Sequence, residues 1–303
     1  MPVLFLTGGT GYIGQAFLQS ERTNFSTIIV PTRSADSFQD KNIQYIRTNG
    51  TSESLIHLLK KNDPDIVINC AAAGIRPDER DPNYLSKINS YLPVQLLQAS
   101  RSTKVSRFIQ IGSMAEYAPP VARVPLAETH PIGYENTYGT SKAAATLMLS
   151  TLAFNANIPL ITLRLFGIYG PLEAEHRLTT QLLKKLRTGQ NVPLSKGTQV
   201  RDFIYVKDAV EAMHRASFVD LPAKHHIINI GTGQGVSVRD FVMSLCTEGN
   251  FDQKLLKFGH LPMRDTDAPY LVADTRKAKT LLNWQARWTV KNVMPSLVSS
   301  FLV

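Results

Sequence analysis

The chain has 303 residues, 43% of them apolar and 19% charged, with a formal net charge of +9. That length can bury one large core or two lobes, and the balance is that of a globular protein without an apolar run of about 18 residues to span a membrane. The basic surplus suits anionic ligands, but no arginine–aromatic cluster points to nucleic acid, and Cys70 and Cys246 lack metal spacing, so a reducing, cytoplasmic setting without a metal is expected.

Val3-Leu-Phe-Leu reads as a buried strand, and it begins so early that no signal or transit peptide has room. A turn with glycines at 8, 11 and 14 follows, then helical character over Tyr12–Ser20. Gly8 permits a sharp turn at positive φ, Gly11 lets bare backbone approach a pyrophosphate, and Gly14 lets helix and strand pack closely. With the helix N-terminus aimed at the anion, the stretch predicts a dinucleotide site.

Further strands are expected at Thr27–Val30, Ile43–Ile46, Asp65–Asn69, Arg107–Ile111 and Leu160–Phe166, with helices at Ser52–Lys61, Asn83–Ser100 and Tyr138–Asn155. Strands alternating with helices predict an α/β fold with a doubly wound parallel sheet, whose ligands sit beyond the strands' carboxyl ends. Residues 1–166 therefore form a dinucleotide-binding domain, and residues 167–303 mainly a smaller substrate lobe. Chain near 201–232 returns to the sheet through a strand at His226–Ile230. Within the lobe, Leu178–Arg187 and Val238–Cys246 read as helices, Arg201–Val206 as a strand and Leu255–Pro269 as loop.

Tyr138 and Lys142 stand at i and i+4, on one helix face. A free phenol titrates at about 10, and a neighbouring ammonium together with an oxidised nicotinamide favours the phenolate. Ser113, after the strand Arg107–Ile111, can hydrogen-bond the same substrate oxygen. The three together describe proton transfer coupled to hydride transfer.

Thr7–Gly14, Ser113 within Ile-Gly-Ser-Met-Ala-Glu-Tyr117, Tyr138–Lys142, Leu163–Pro171, Arg201–Asp208, Asn229–Gly233 and Arg264 through Trp284 together resemble the extended short-chain dehydrogenase/reductases. Within them the chain is similar to the nucleotide-sugar epimerase/dehydratase/reductase branch. The resemblance implies catalytic Ser113, Tyr138 and Lys142, with Lys142 also on the nicotinamide ribose. It places Gly8, Gly11, Tyr12, Ile13, Gly14, Ala71, Ala72, Ala73, Asn89, Phe166 and Ile168 along the cofactor, and Met114 beside Ser113 and Tyr138 at the substrate. Arg201 and Arg264 match positions that grip the diphosphate of a nucleoside-diphosphate sugar, a task suited to guanidinium forks. A homodimer through the two long helices, packed as a four-helix bundle, is implied as well.

The departures refine the expectation. NAD users usually end the second strand with an acid; Val30-Pro-Thr-Arg-Ser34 offers Arg33 and Ser34 to a 2′-phosphate instead, which favours NADP, with NAD as the alternative and Asp36 as the acid that would reverse the choice. The acid near adenine after the third strand is replaced by Arg47-Thr-Asn-Gly50. A dehydratase would carry Asp and Glu after the serine; here Met114 and Ala115 stand there and Glu116 comes one position late. His176 lies where some epimerase-reductases keep an acid, but Ala115 replaces their partner cysteine, so it is read as a substrate-loop residue. An NADPH-dependent 4-keto reductase is therefore the expected activity and an NAD-retaining 4-epimerase the alternative. A reductase of hydrophobic ketones and a non-catalytic NADP sensor stand further off.

Overall fold

The computed structural model describes residues 1–33, 41–222, 224–263 and 267–302. The first half runs β1 (Val3–Thr7), α1 (Tyr12–Glu21), β2 (Thr27–Thr32), β3 (Ile43–Arg47), α2 (Ser52–Asn62) and β4 (Ile66–Asn69). A helical run of α3 (Pro82–Leu85), a π-helical turn (Ser86–Tyr91) and α4 (Leu92–Ser100) leads to β5 (Arg107–Ser113), α5 (Thr137–Ala156) and β6 (Leu160–Leu165). The second half is built of shorter pieces: β7 (Gly167–Tyr169), α6 (Leu178–Arg187), β8 (Val192–Leu194), β9 (Val200–Arg201), β10 (Phe203–Tyr205), α7 (Val206–Phe218) and β11 (His225–Ile230). It ends with β12 (Val236–Ser237), α8 (Val238–Glu248), β13 (Leu256–Phe258), β14 (Tyr270–Leu271), α9 (Arg276–Leu282) and α10 (Val290–Leu302).

Seven parallel strands form one sheet in the order β3-β2-β1-β4-β5-β6-β11. The continuous apolar runs follow from burial on both faces. Side chains alternate across a strand, so Leu4 and Leu6 enter the core beneath α1 and α7 while Phe5 enters the one beneath α2, α4 and α5. Helices on both faces make the sheet doubly wound, as the alternation predicted. Strand order reverses between β1 and β4, which opens a crevice at their carboxyl ends.

Four local readings change. Ser113 is the last residue of β5, not a residue beyond it. The long helix expected over Asn83–Ser100 contains a π turn at Ser86–Tyr91. The strand expected at Arg201–Val206 is two, because Asp202 turns inward: its buried carboxylate accepts from Thr232 N and Oγ1 (2.7 and 2.6 Å), Gly233 N (2.9 Å) and Ala273 N (3.1 Å). The stretch read as loop after Leu255 carries β13, which pairs with β8. Asp208 likewise anchors the C-terminal segment, accepting from Arg287 N at 3.0 Å and Trp288 N at 2.9 Å, while Trp284 Nε1 donates to its carbonyl.

One histidine makes the fold acid-sensitive. His225 bridges Ser150 Oγ (2.5 Å) on α5 and Thr162 Oγ1 (2.8 Å) on β6, and burial, with the Arg164 charge nearby, pushes its pKa down to about 3. The unfolded chain binds this proton at a pH of about 6.5. The contribution of His225 to stability is therefore complete above that value and falls by about 1.4 kcal/mol per pH unit as the pH drops below it. Urea unfolding at stepped pH should show that slope in the wild type and a shallower one in His225→Gln; equal slopes would remove His225 as its source.

Candidate active site

The glycine-rich turn lies at the mouth of the β1–β4 crevice. Gly8 has φ +68°, and a Cβ there would stand 2.6 Å from Ala71 N and Cys70 C, so the turn and the end of β4 touch through bare backbone. A Cβ on Gly14 would stand 2.6 Å from Gly9 Cα and closer still to the Gly8 carbonyl, so α1 rests directly on the turn. A Cβ on Gly11 would meet only Gly8 O, at 3.2 Å, and Gly11 itself is exposed. Bare backbone at the N-terminus of α1 fits a dinucleotide's pyrophosphate. Ile13 packs against the core and Tyr12 turns its ring inward, its buried hydroxyl beside Gly170.

Opposite the turn, Ala71, Ala72 and Ala73 leave the end of β4. The π turn brings Asn89 inward: its Oδ1 accepts from Ala73 N at 2.9 Å and its Nδ2 donates to Ala73 O at 2.9 Å and Ser141 Oγ at 3.0 Å. A fully buried amide thereby fixes the alanine segment to α5, where the sequence offered only a polar helix residue. π turns often accompany functional sites for this geometric reason.

Tyr138 and Lys142 project from the first turns of α5, which Asn136 caps by accepting from Gly139 N at 2.6 Å. Lys142 is 3% exposed and its Nζ donates to Ile111 O at 2.7 Å, which ties it to β5. Burial pulls its pKa down to about 8, with the Glu116 charge pulling back. Burial raises Tyr138 above the ordinary phenol value and the Glu116 charge adds to this, while the neighbouring Ser113 hydroxyl favours the phenolate. Arg177, on the loop before α6, also lies close enough to favour the phenolate, a neighbour no sequence spacing announces. Cys70 beside Lys142 stays a neutral thiol, its pKa pushed up to about 12 by burial.

The other predicted residues have varied surroundings. His176 Nε2 lies 3.0 Å from the Ile75 carbonyl, joining the loop after β7 to the segment that follows β4. Met114 follows Ser113 in a short 3-10 turn and is half-buried. Phe166 packs against Tyr117, Leu126 and Ala273, and Ile168 lies in the main core, so their side chains serve packing. Arg201 donates to Val200 O (2.8 Å) and Ala268 O (2.7 Å) and pairs with Asp267 at 3.0 Å. Arg33 lies against Gly50 and shares a cleft with Arg47, Thr48 and Asn49. Ser34, Asp36 and Arg264 lie outside the described residues. Among the described residues no cluster of His, Cys, Asp and Glu could hold a metal ion, and no helix is long and apolar enough to cross a membrane.

A doubly wound sheet with a glycine-rich turn at its switch point, and a serine, tyrosine and lysine gathered beside it, define an enzyme of the short-chain dehydrogenase/reductase type. The chain belongs to the NAD dependent epimerase/dehydratase family, whose model matches residues 4–231. It is 28% identical over 331 residues to probable UDP-arabinose 4-epimerase 3 of Arabidopsis thaliana, covering 97% of this chain and 79% of that one. It is 27% identical to the UDP-glucose 4-epimerase of Corynebacterium glutamicum, covering 94% and 91%. Among solved structures, MoeE5 in complex with UDP-glucuronic acid and NAD superposes with a TM-score of 0.86 at 25% identity, covering 98% of each chain. The UDP-glucose 4-epimerase of Thermotoga maritima shares the fold with a TM-score of 0.89 at 23% identity, covering 99% and 98%.

Proposed function

We propose that the protein is an NAD-dependent nucleotide-sugar 4-epimerase acting on a UDP-sugar. The observation that carries this is the grouping of Ser113, Tyr138 and the buried Lys142, one turn on from the tyrosine, beside a turn shaped for a dinucleotide. The relatives reported above favour epimerisation over the 4-keto reduction expected from sequence. Bound NAD supplies a hydride acceptor that can return the hydride to either face of a carbonyl. Tyr138 takes the proton from the sugar's 4-hydroxyl and later gives it back, Ser113 holds that oxygen, and the Lys142 ammonium favours the phenolate. Elimination chemistry is not supported: the one acid after Ser113 is Glu116, which is fully buried and engaged with Arg164 and Thr146.

Residues 167–303 supply the substrate lobe in this reading, with Arg201 and Arg264 on the diphosphate. Met114 and His176 stand toward the sugar. Tyr84 and Tyr91 on the α3–α4 run and Leu147 and Met148 on α5 are exposed apolar residues on neighbouring helices, which supports a homodimer through a four-helix bundle. The test is incubation with UDP-glucose, UDP-arabinose and UDP-glucuronic acid, followed by NMR of the products, with mass spectrometry of ligands released from the purified protein. Inversion at the fourth carbon and co-purified NAD are expected. No inversion of any of the three would defeat the proposal.

A second reading, an NADPH-dependent 4-keto reductase, is favoured by one observation: the cleft lined by Arg33 and Arg47 suits a 2′-phosphate. It requires NADPH to bind about tenfold or more tighter than NADH, with Arg33→Asp erasing the gap, since a charge-assisted contact contributes about 1.5–3 kcal/mol. Equal or weaker NADPH binding would remove this reading.

A further inference from the structure

Glu116 is an acid for which the proposed chemistry has no use, yet it is fully buried and held from three elements. Ser113 N, at the end of β5, donates to its Oε1 at 2.9 Å. Thr146 Oγ1, on α5, donates to its Oε2 at 2.8 Å, and Arg164 Nε, on β6, donates to the same oxygen at 2.9 Å. Arg164 is itself 2% exposed, with its guanidinium 4.5 Å from the centre of the Tyr117 ring and its Nη1 3.4 Å from Glu128 O. Thr146 stands one turn beyond Lys142 and two beyond Tyr138, on the face they share. A Cβ on Gly112 would stand 2.7 Å from Glu116 Oε1 and 2.9 Å from Thr162 Cγ2, so the chain before Ser113 is bare where the carboxylate folds back.

Stability alone does not account for this arrangement, because a buried ion pair is seldom better than apolar side chains of the same volume. Direction does. A carboxylate with two oxygens fixes three donors in one geometry, which an apolar side chain cannot do. From this we infer that Glu116, neutralised by Arg164, is a positioning residue: it clamps Ser113 to the helix carrying Tyr138 and Lys142 and so sets the gap that receives the sugar's fourth-carbon oxygen. The role in turnover rests on the epimerase reading; the clamp does not.

Two variants of the NAD-loaded protein test it. Glu116→Gln keeps the shape but weakens the donors' hold, and kcat should fall about tenfold to a hundredfold, the scale of a misplaced reacting group, with KM within about twofold. Thr146→Val keeps the buried charge and loosens only the tie to α5. The groups facing Tyr138 are Ser113, Glu116 and Arg177, with Lys142 on its own helix, and Ser113 favours its phenolate. A looser clamp lets Ser113 draw away from Tyr138, so the Tyr138 phenolate, followed by ultraviolet difference titration against Tyr138→Phe, should appear at higher pH in Thr146→Val, in the direction of Ser113→Ala. The titration needs no substrate, so it decides the clamp even if no UDP-sugar is turned over, an outcome that would sink the epimerase reading instead. A lowered melting temperature with wild-type kcat in Glu116→Gln, or an unmoved phenolate titration in Thr146→Val, would overturn the inference.

Discussion

Tyr138→Phe will lower kcat on an accepted UDP-sugar by about 10²–10⁴-fold, the usual contribution of a positioned acid/base. The variant loses the hydroxyl that Ser113 influences and that lies one helical turn from the Lys142 ammonium. The fold should survive, because the ring keeps its place against Gly74, whose Cβ position lies 3.1 Å from Tyr138 Cδ2. Cofactor affinity should change little for the same reason. Lys142→Met should be damaging in a different way: it removes the ammonium and its 2.7 Å bond to the Ile111 carbonyl, which keeps only the weaker side-chain bond from Gln110 Nε2 at 3.0 Å. Both kcat and cofactor affinity should then fall. Turnover by Tyr138→Phe within a factor of about three of wild type, in a folded protein, would mean that another group moves the proton.

Gly14→Ala will cost the dinucleotide site more than any polar substitution within it. The added methyl has no open direction: the Gly9 Cα is 2.6 Å away and the Gly8 carbonyl is closer, and both are backbone. Backbone cannot rotate aside as a flexible side chain does, so α1 must move off the turn. Overpacking of this kind typically costs about 1–3 kcal/mol of stability. The displaced helix N-terminus also withdraws the N–H groups that would meet the pyrophosphate, so NAD affinity should fall by about a hundredfold or more, the equivalent of roughly two charge-assisted hydrogen bonds. Thermal unfolding with and without NAD measures both effects at once, because a bound ligand raises the midpoint according to its affinity. A variant that keeps the wild-type NAD-induced shift would show that the turn tolerates a Cβ at this position.

The contrast between residues 8–14 and residues 113–116 separates what sequence decides from what it does not. Glycine spacing, apolar runs four to seven residues long and an i, i+4 pair are short-range properties, carried by backbone sterics and helix geometry, and they determined the parallel sheet, the dinucleotide turn and the shared face of Tyr138 and Lys142. The two 4-hydroxyl chemistries were not separated in this way, since hydride return and reduction use the same three side chains. Whether Glu116 faces substrate or core depends on Arg164 and Thr146, which lie 48 and 30 residues away, and only the packed sheet and helix bring them to it. Asn89 belongs to the same class, since its hold on Ala73 arises where a π turn rotates it inward. Asp202 does too, for it breaks a predicted strand by accepting donors from Thr232, Gly233 and Ala273. A buried polar group takes its role from the partners that burial obliges it to find, and those partners are fixed by tertiary structure rather than by neighbouring sequence.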